Sequence, residues 1–452
     1  MVEVLFDVVI LGFGPAALSL AIALHELPRP LNVLILERKP CFSWRGGASP
    51  LNGSRMRTSL LQDLVTQRNP LSDFTFINYL WATGSLVDYT NLSLVNPPKS
   101  VFCHYLQWCA SKIEALGWIR YGHEVSGLEP LSVANGEINT WRINAKDIKG
   151  GTLRSVEARR VIIAVGSQAK LSPPLSSFRS HRRLFHSARF HEALPDIQSN
   201  EARSLNIAVL GGDDEAVEIF EHLCSVASDS KVVLYLDDTA LRQTDTNPFL
   251  SSAVQTPNRL PYELRRCLGA QGDFRAVAPT VHSSVLSRLY LLQYSQLVKQ
   301  GNRTEHNSRI CTSKEITHAR TSEGTSRILL DVTDISTGVA EKSVPFDYII
   351  AASGYERTEH QRLMARLQSV LDSLDGSVTV DSSYRVNFKR GKVAAQSGVW
   401  VVDGFEIESG DAFSFLALRT ETVLQSLFEN DKTGTQDGKH TEAGTLVERA
   451  TL

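Results

Sequence analysis

The sequence lacks the features that mark disulfide scaffolds, membrane proteins and polyanion-binding surfaces. Its six cysteines, at 41, 103, 109, 224, 267 and 311 of 452 residues, form no C-x-x-C pair and no zinc-type spacing. Neither a disulfide framework nor a structural metal is expected from them, and a reducing, cytoplasmic compartment is the simpler reading. One-sided charge is also missing. The 47 Lys+Arg stand against 49 Asp+Glu, a formal charge of −2 that argues against nucleic acid as a partner. Among twelve histidines none belongs to an H-x-x-x-H pair with a partner acid, so His104 and His186 read as packing residues and no metal is expected. A long apolar span is absent too. The best candidate, Val8 to Leu24, follows MVEVLFD, which carries two acids and no base, and is interrupted by Gly12, Gly14 and Pro15. It suits neither a signal peptide nor a membrane crossing.

What is present is an ordinary globular composition, 42% hydrophobic and 21% charged, in a chain long enough for two or three cores. The runs FDVVIL (6 to 11) and LNVLILE (31 to 37) bracket a helical pattern through Leu18, Ile22 and Leu24. That is a βαβ unit of a parallel sheet. A second unit spans 205 to 236, from LNIAVLGG through AVEIFEHLCSVA to KVVLYLD. The expected architecture is α/β, with two Rossmann-like dinucleotide-binding domains. Apolar runs at 160 to 165 and 346 to 352 are expected to return to the first sheet. This gives a discontinuous first domain, 1–203 and 345–430, around an insert at 204–344. A helical substrate region is expected at about 240–305, including the periodic stretch 283 to 300, and the tail 431–452 reads as disordered solvated chain.

Gly12-Phe13-Gly14-Pro15-Ala16-Ala17 is G-x-G-x-x-A between strand and helix, with Glu37 closing the next strand. Glycines allow a sharp turn and close approach of a pyrophosphate. The helix start supplies unpaired N–H donors, and the acid accepts from ribose hydroxyls. Pro15 fits the first helical turn because its missing N–H has no partner there anyway. This motif alone does not separate FAD from NAD, nor a ligand site from a tight turn.

From Phe42 onward the chain resembles the flavin-dependent N-hydroxylating monooxygenases that act on ornithine or lysine in siderophore pathways. The matching stretches include FSW (42 to 44), MRTSLLQDLVTQRNPLSDFTFINYL (56 to 80), PPKSVFCHYLQW (97 to 108), FHSARF (185 to 190), NPF (247 to 249), AASGYERTEH (351 to 360) and FSFLALRTE (413 to 421). The resemblance implies an FAD-binding domain, an inserted NADPH domain, and oxygen transfer from a C4a-hydroperoxyflavin to the uncharged nitrogen of a small-molecule amine, with O2 as co-substrate. The flavin carries this chemistry, so no catalytic acid, base or nucleophile is implied. It places Gly12, Gly14, Pro15, Ala16, Glu37, Trp44, Met56 and Leu61 around the flavin, although Trp44 and Met56 suit plain core packing equally. Arg189 and Arg242 are candidates for a cofactor phosphate. Because relatives assemble as tetramers, the resemblance also implies a homo-oligomer.

Several positions depart from the family pattern. Where relatives read G-G-G-Q-S-A-x-E, this chain has Gly211-Gly212-Asp213-Asp214-Glu215-Ala216-Val217-Glu218. Three carboxylates stand where a pyrophosphate would lie, which makes NADPH doubtful; acids there also complement a helix dipole. Gln62 replaces the lysine expected to meet an amino-acid carboxylate, and Ser251 and Asp273, followed by Phe274, replace two asparagines. Arg45 and Arg57 are additional cations beside the expected flavin, with Asp63 or solvent as alternative partners for Arg57. These departures point to a precursor other than free ornithine. They leave open an FAD oxidase or flavin-assisted rearrangement catalyst that does not use NADPH, and a catalytically silent paralogue.

Overall fold

Strand β1 (Leu5–Leu11) is buried without a break from Val8, as a strand covered on both faces must be. Helix α1 (Pro15–His25) is buried at every position from Ala17 to Leu24, Ser19 included, so it is packed on all sides. Strand β2 (Val33–Glu37) lies parallel to β1, with Val8 opposite Val33. The computed structural model describes residues 4–44, 54–134, 136–199, 204–227, 229–244, 280–300, 307–322, 324–373, 376–402, 413 and 415–429. The tail 431–452 and most of the expected substrate region, 245–279 and 301–306, lie outside them.

Between β2 and the next strand, α2 (Phe76–Ala82), α3 (Leu86–Asn91) and α4 (Lys99–Glu114) contribute an aromatic core containing Phe76, Phe102 and Tyr105. The first sheet then collects β3 (Ile119–Tyr121), β4 (His123–Ala134), β5 (Glu137–Asp147) and β6 (Leu153–Ile163), in the order β3-β2-β1-β6-β5-β4. The strand Gly398–Val401 also joins it beside β6. The C-terminal helix Leu416–Phe428 packs on α1 through Ser19, whose hydroxyl donates to the Leu64 carbonyl at 2.6 Å and lies 2.8 Å from that of Thr420. Because the single Ser19 proton is committed to Leu64, Thr420 is the donor in the second bond.

After the two-residue β7 (Gln168–Ala169) and α5 (Pro173–Ser176), a second parallel sheet begins at β8 (Leu184–His186), followed by α6 (Phe190–Ser199). Its next unit is β9 (Asn206–Leu210), α7 (Asp214–Val226) and β10 (Lys231–Tyr235), as the sequence pattern predicts. The strands Ser308–Cys311 and Tyr348–Ala351 complete the sheet, which runs Ser308–Cys311, β10, β9, Tyr348–Ala351, β8. The runs at 184–186 and 346–352 thus belong to the second sheet, against the expectation that they fall with the first domain. The stretch 308–350 does not return to the first sheet either: Ser308–Cys311 joins the second sheet, and Lys314–Thr321, Ile328–Asp334 and Val344–Phe346 form a separate antiparallel sheet. Tyr348–Ala351 is buried throughout, and a short apolar run of that kind does not say which of the two sheets receives it. The predicted helix at 283 to 300 forms as Ser283–Gln300, with Val285 and Leu289 in one core with α7 residues. Among the described residues no helix is long and apolar enough to cross a membrane, and no metal-holding cluster of His, Cys, Asp and Glu occurs.

Candidate functional site

The first glycine turn passes tightly between strand ends. Gly12 has φ +93°, and a Cβ there would lie 2.4 Å from the Ala164 carbonyl oxygen just past β6, so only glycine is accommodated. Gly14 is different. Its backbone is extended (φ −94°, ψ −174°), which any residue adopts, and a Cβ at this position would meet nothing within 4 Å. Glycine here leaves open space beside the start of α1. No side chain caps that helix, its first turn holds no acid, and Pro15 occupies the first position, which leaves the amides of Ala16 and Ala17 to an incoming acceptor. At the end of β2, Glu37 is 9% exposed. Its Oε2 accepts from the Phe13 amide at 2.6 Å and its Oε1 from that of Lys39 at 2.8 Å. A glycine turn, an uncapped helix start and an acid fixed at the next strand's end thus lie together.

The segment beginning at Ser54 is stitched to the chain ahead of α4. The amide of Met56 donates to Pro97 at 2.8 Å and that of Leu60 to Val95 at 2.9 Å. Met56 is buried, and Trp44 packs edge-on against Phe102 and Phe413, with ring centroids 6.2 and 5.1 Å away. Both therefore belong to the aromatic core behind the first turn. Leu61 is half exposed, and Gln62 accepts the Ser59 amide at 2.9 Å, so its side chain closes a local turn. Asp63 is fully buried and accepts from the amides of Val65, Thr66 and Phe76 and the Thr66 hydroxyl. Burial nonetheless holds its carboxyl above the ordinary range. Four donors use its acceptor capacity, so Asp63 is not the partner of Arg57. Arg57 instead reaches the start of the α7 helix (Asp214–Val226), with Nε 2.8 Å from Asp214 Oδ2 and a terminal nitrogen 2.7 Å from the Thr280 carbonyl.

Arg189 is exposed and paired with Glu192, and Arg242 with Asp238. His186 is a buried packing residue bonded to Gly354, whereas His104 is exposed on α4, against the expectation of a packing role. Arg45, Ser251, Asp273 and Phe274 lie outside the described residues.

The second turn has the backbone of the first. Gly211 has φ +136°, with its would-be Cβ 2.5 Å from the Ala352 carbonyl oxygen, and the residue before α7, Asp213, has φ −95° and ψ 177°. Val217 donates to Asp213 O at 3.1 Å as Leu18 donates to Gly14 O at 2.9 Å. The side chains, however, fill what the first turn leaves open. Asp213 Oδ1 accepts from the Ala216 amide at 2.9 Å, Asp214 pairs with Arg57 and accepts the His282 amide at 2.6 Å, and Glu215 accepts from the Tyr355 hydroxyl at 2.9 Å. Burial pushes the Asp213 carboxyl up to about 6. One turn of helix further on, buried Glu218 receives the Ser54 hydroxyl at 2.8 Å and the Lys99 ammonium at 2.9 Å. The sequence pattern did not single out Lys99, Tyr355 and Glu218. An acid on the apolar face of an amphipathic helix was the available signal for Glu218.

Residues 4–357 match the family model described as L-lysine 6-monooxygenase/L-ornithine 5-monooxygenase. The chain belongs to this family of flavin-dependent N-monooxygenases. Among curated N-monooxygenases, an L-ornithine N(5)-monooxygenase of Emericella nidulans is 32% identical, the match covering 94% of this chain and 90% of the relative. The solved ornithine hydroxylase of Pseudomonas aeruginosa is 25% identical with a TM-score of 0.80, covering 94% and 99% of the two chains. An ornithine N-hydroxylase from a Kutzneria species, solved with reduced FAD, NADP+ and L-ornithine, has the same fold with a TM-score of 0.82 at 24% identity, over 95% and 100%. The two-sheet α/β architecture is therefore the N-monooxygenase fold. Within it, the departures at Gln62 and at Asp213 to Glu215 are engaged side chains in defined contacts.

Proposed function

We propose that this N-monooxygenase binds FAD at the Gly12 to Ala17 turn and uses O2 to hydroxylate the amine nitrogen of a small specialised-metabolite precursor. The contrast at Gly14 carries the reading: an uncapped helix start, a gap that a Cβ would begin to fill, and a carboxylate fixed at the strand end. These features suit a dinucleotide of the FAD type. The amides of Ala16 and Ala17 would receive the pyrophosphate, and Glu37 would take the ribose hydroxyls while holding the loop through Phe13. Trp44, Phe102 and Phe413 would form a dry wall that keeps water from the reacting centre. When bound and reduced by two electrons from an external donor, the flavin would supply the activation of O2, one atom of which goes to the amine nitrogen and the other to water. No side chain is assigned proton transfer.

Two features favour an amine other than free ornithine. Gln62 carries no charge at the position where the resemblance implies a lysine, and its amide is turned to Ser59. A corresponding diamine without the carboxylate loses nothing at this position.

The test is chemical reduction of the FAD-loaded protein without air, followed by O2 and either ornithine or its decarboxylated diamine, with hydroxylamine product quantified. Product from the diamine in excess of that from ornithine is expected. Absence of N-hydroxylated product from any amine offered, with flavin fully bound, overturns the reaction. Gly14→Asp, which copies the second turn into the first, is expected to lower FAD occupancy at least tenfold; undiminished flavin absorbance places the cofactor elsewhere.

A further inference from the structure

We infer that the second glycine turn is an interdomain strut and takes no dinucleotide: its own carboxylates hold the positions a pyrophosphate needs. The first turn serves as an internal control. Gly14 and Asp213 share their backbone angles, and the glycines ahead of both, Gly12 and Gly211, are forced by carbonyl oxygens within 2.5 Å of their absent Cβ atoms. The backbone at the helix start therefore does not distinguish the two turns. The side chains do. At the second turn Asp213 itself receives the Ala216 amide, which a ligand oxygen would otherwise take. A phosphate arriving there meets the charge of Asp213, Asp214 and Glu215 and finds the Ala216 amide already taken.

The same carboxylates tie separate parts of the chain together. Asp214 holds Arg57 from the segment behind the first turn and the amide that starts the helix Ser283–Gln300. Glu215 holds Tyr355, which lies in the short strand crossing between the two sheets. Glu218 holds Lys99 and Ser54 of the first domain. Opening the turn for a ligand would break these contacts. Such a cluster is a strut that fixes the second sheet against the first. The inference goes beyond the proposed function, since flavin binding at Gly14 neither requires nor excludes it.

The test is equilibrium titration of the FAD-loaded protein with NADP+ and with NADPH by calorimetry, a readout independent of turnover. No saturable binding is expected up to millimolar concentrations, and a micromolar dissociation constant overturns the inference. The triple variant Asp213→Gly, Asp214→Gln, Glu215→Ser is expected to gain affinity at least a hundredfold. A soluble triple variant with unchanged affinity shows that the carboxylates are not the cause and also overturns it. Should the triple variant not fold, Asp213→Gly alone keeps the ties of Asp214 and Glu215; it is expected to gain at least tenfold, and no gain overturns the inference. The FAD content of the same samples, read from visible absorbance, reports on the proposed function separately. Loss of flavin with no NADP+ isotherm would count against that function and leave the strut intact.

Discussion

Asp213 shows how one side chain changes the chemistry of a backbone shape that both turns share. It is half-buried, faces Asp214 and Glu215 from its own helix and Arg57 from the first domain, and has its carboxyl pushed up to about 6 by desolvation. A carboxyl raised on folding makes the folded state bind the proton more tightly than the unfolded chain does. The stability this contributes is complete below the ordinary carboxylate value of 3.8 and is lost as pH rises through about 6. Asp213→Asn keeps an acceptor for the Ala216 amide without the charge. Its stability relative to the parent is expected to rise between about pH 4 and 6.5 and then level off, by roughly 1–2 kcal/mol, short of the roughly 3 kcal/mol that the full displacement from 3.8 to about 6 would carry. Urea unfolding at a series of pH values checks this, and a difference that is flat or falls with pH contradicts it. At this scale Glu37 was readable from the sequence, because its spacing from the glycines is a signature of local chain geometry. The Arg57 partner was not, since Asp214 lies 157 residues away.

Between elements, the contact that matters most is the one joining α4 to α7. Glu218 is buried on the core-facing side of α7, with the Lys99 ammonium at 2.9 Å and the Ser54 hydroxyl at 2.8 Å as its donors. Removing the cation strands a buried carboxylate, which costs more than removing the pair. Lys99→Met is expected to destabilise the protein by about 3 kcal/mol, while Lys99→Met combined with Glu218→Met recovers most of that loss. A double variant no more stable than the single one in denaturant titration refutes the coupling. The helices themselves follow directly from periodicity and capping: α1 from an apolar run with Pro15 at its start, α7 from an Asp cap and an amphipathic stripe. What faces Glu218 across the interface is set by the docking of two elements 119 residues apart.

At the scale of the whole molecule, a mixed first sheet and a parallel second sheet with similar glycine turns differ in the ligand they can receive. FAD binding only to the folded chain raises stability by mass action, about 2.7 kcal/mol at a hundredfold excess over its dissociation constant. Thermal unfolding of the FAD-free protein is therefore expected to shift upward with added FAD in a concentration-dependent way. NADP+ at the same concentrations is expected to shift nothing. A rise with NADP+ equal to that with FAD would remove the asymmetry between the two turns.

The amino-acid sequence by itself determined the two βαβ openings, the glycines at 12 and 211, the acid at 37 and the helix at 283 to 300. All of these are signalled within a few dozen residues, where periodicity and turn chemistry act directly, although the carbonyls that crowd Gly12 and Gly211 come from Ala164 and Ala352. Only the tertiary structure decided that Tyr348–Ala351 pairs with β9 and β8 rather than with the first sheet, because its residues suit either core equally. Tertiary structure also decided that the acids at 213 to 215 are engaged by Ala216, Arg57, His282 and Tyr355. A carboxylate's role is set by the donors that reach it, and most of those arrive from distant parts of the chain.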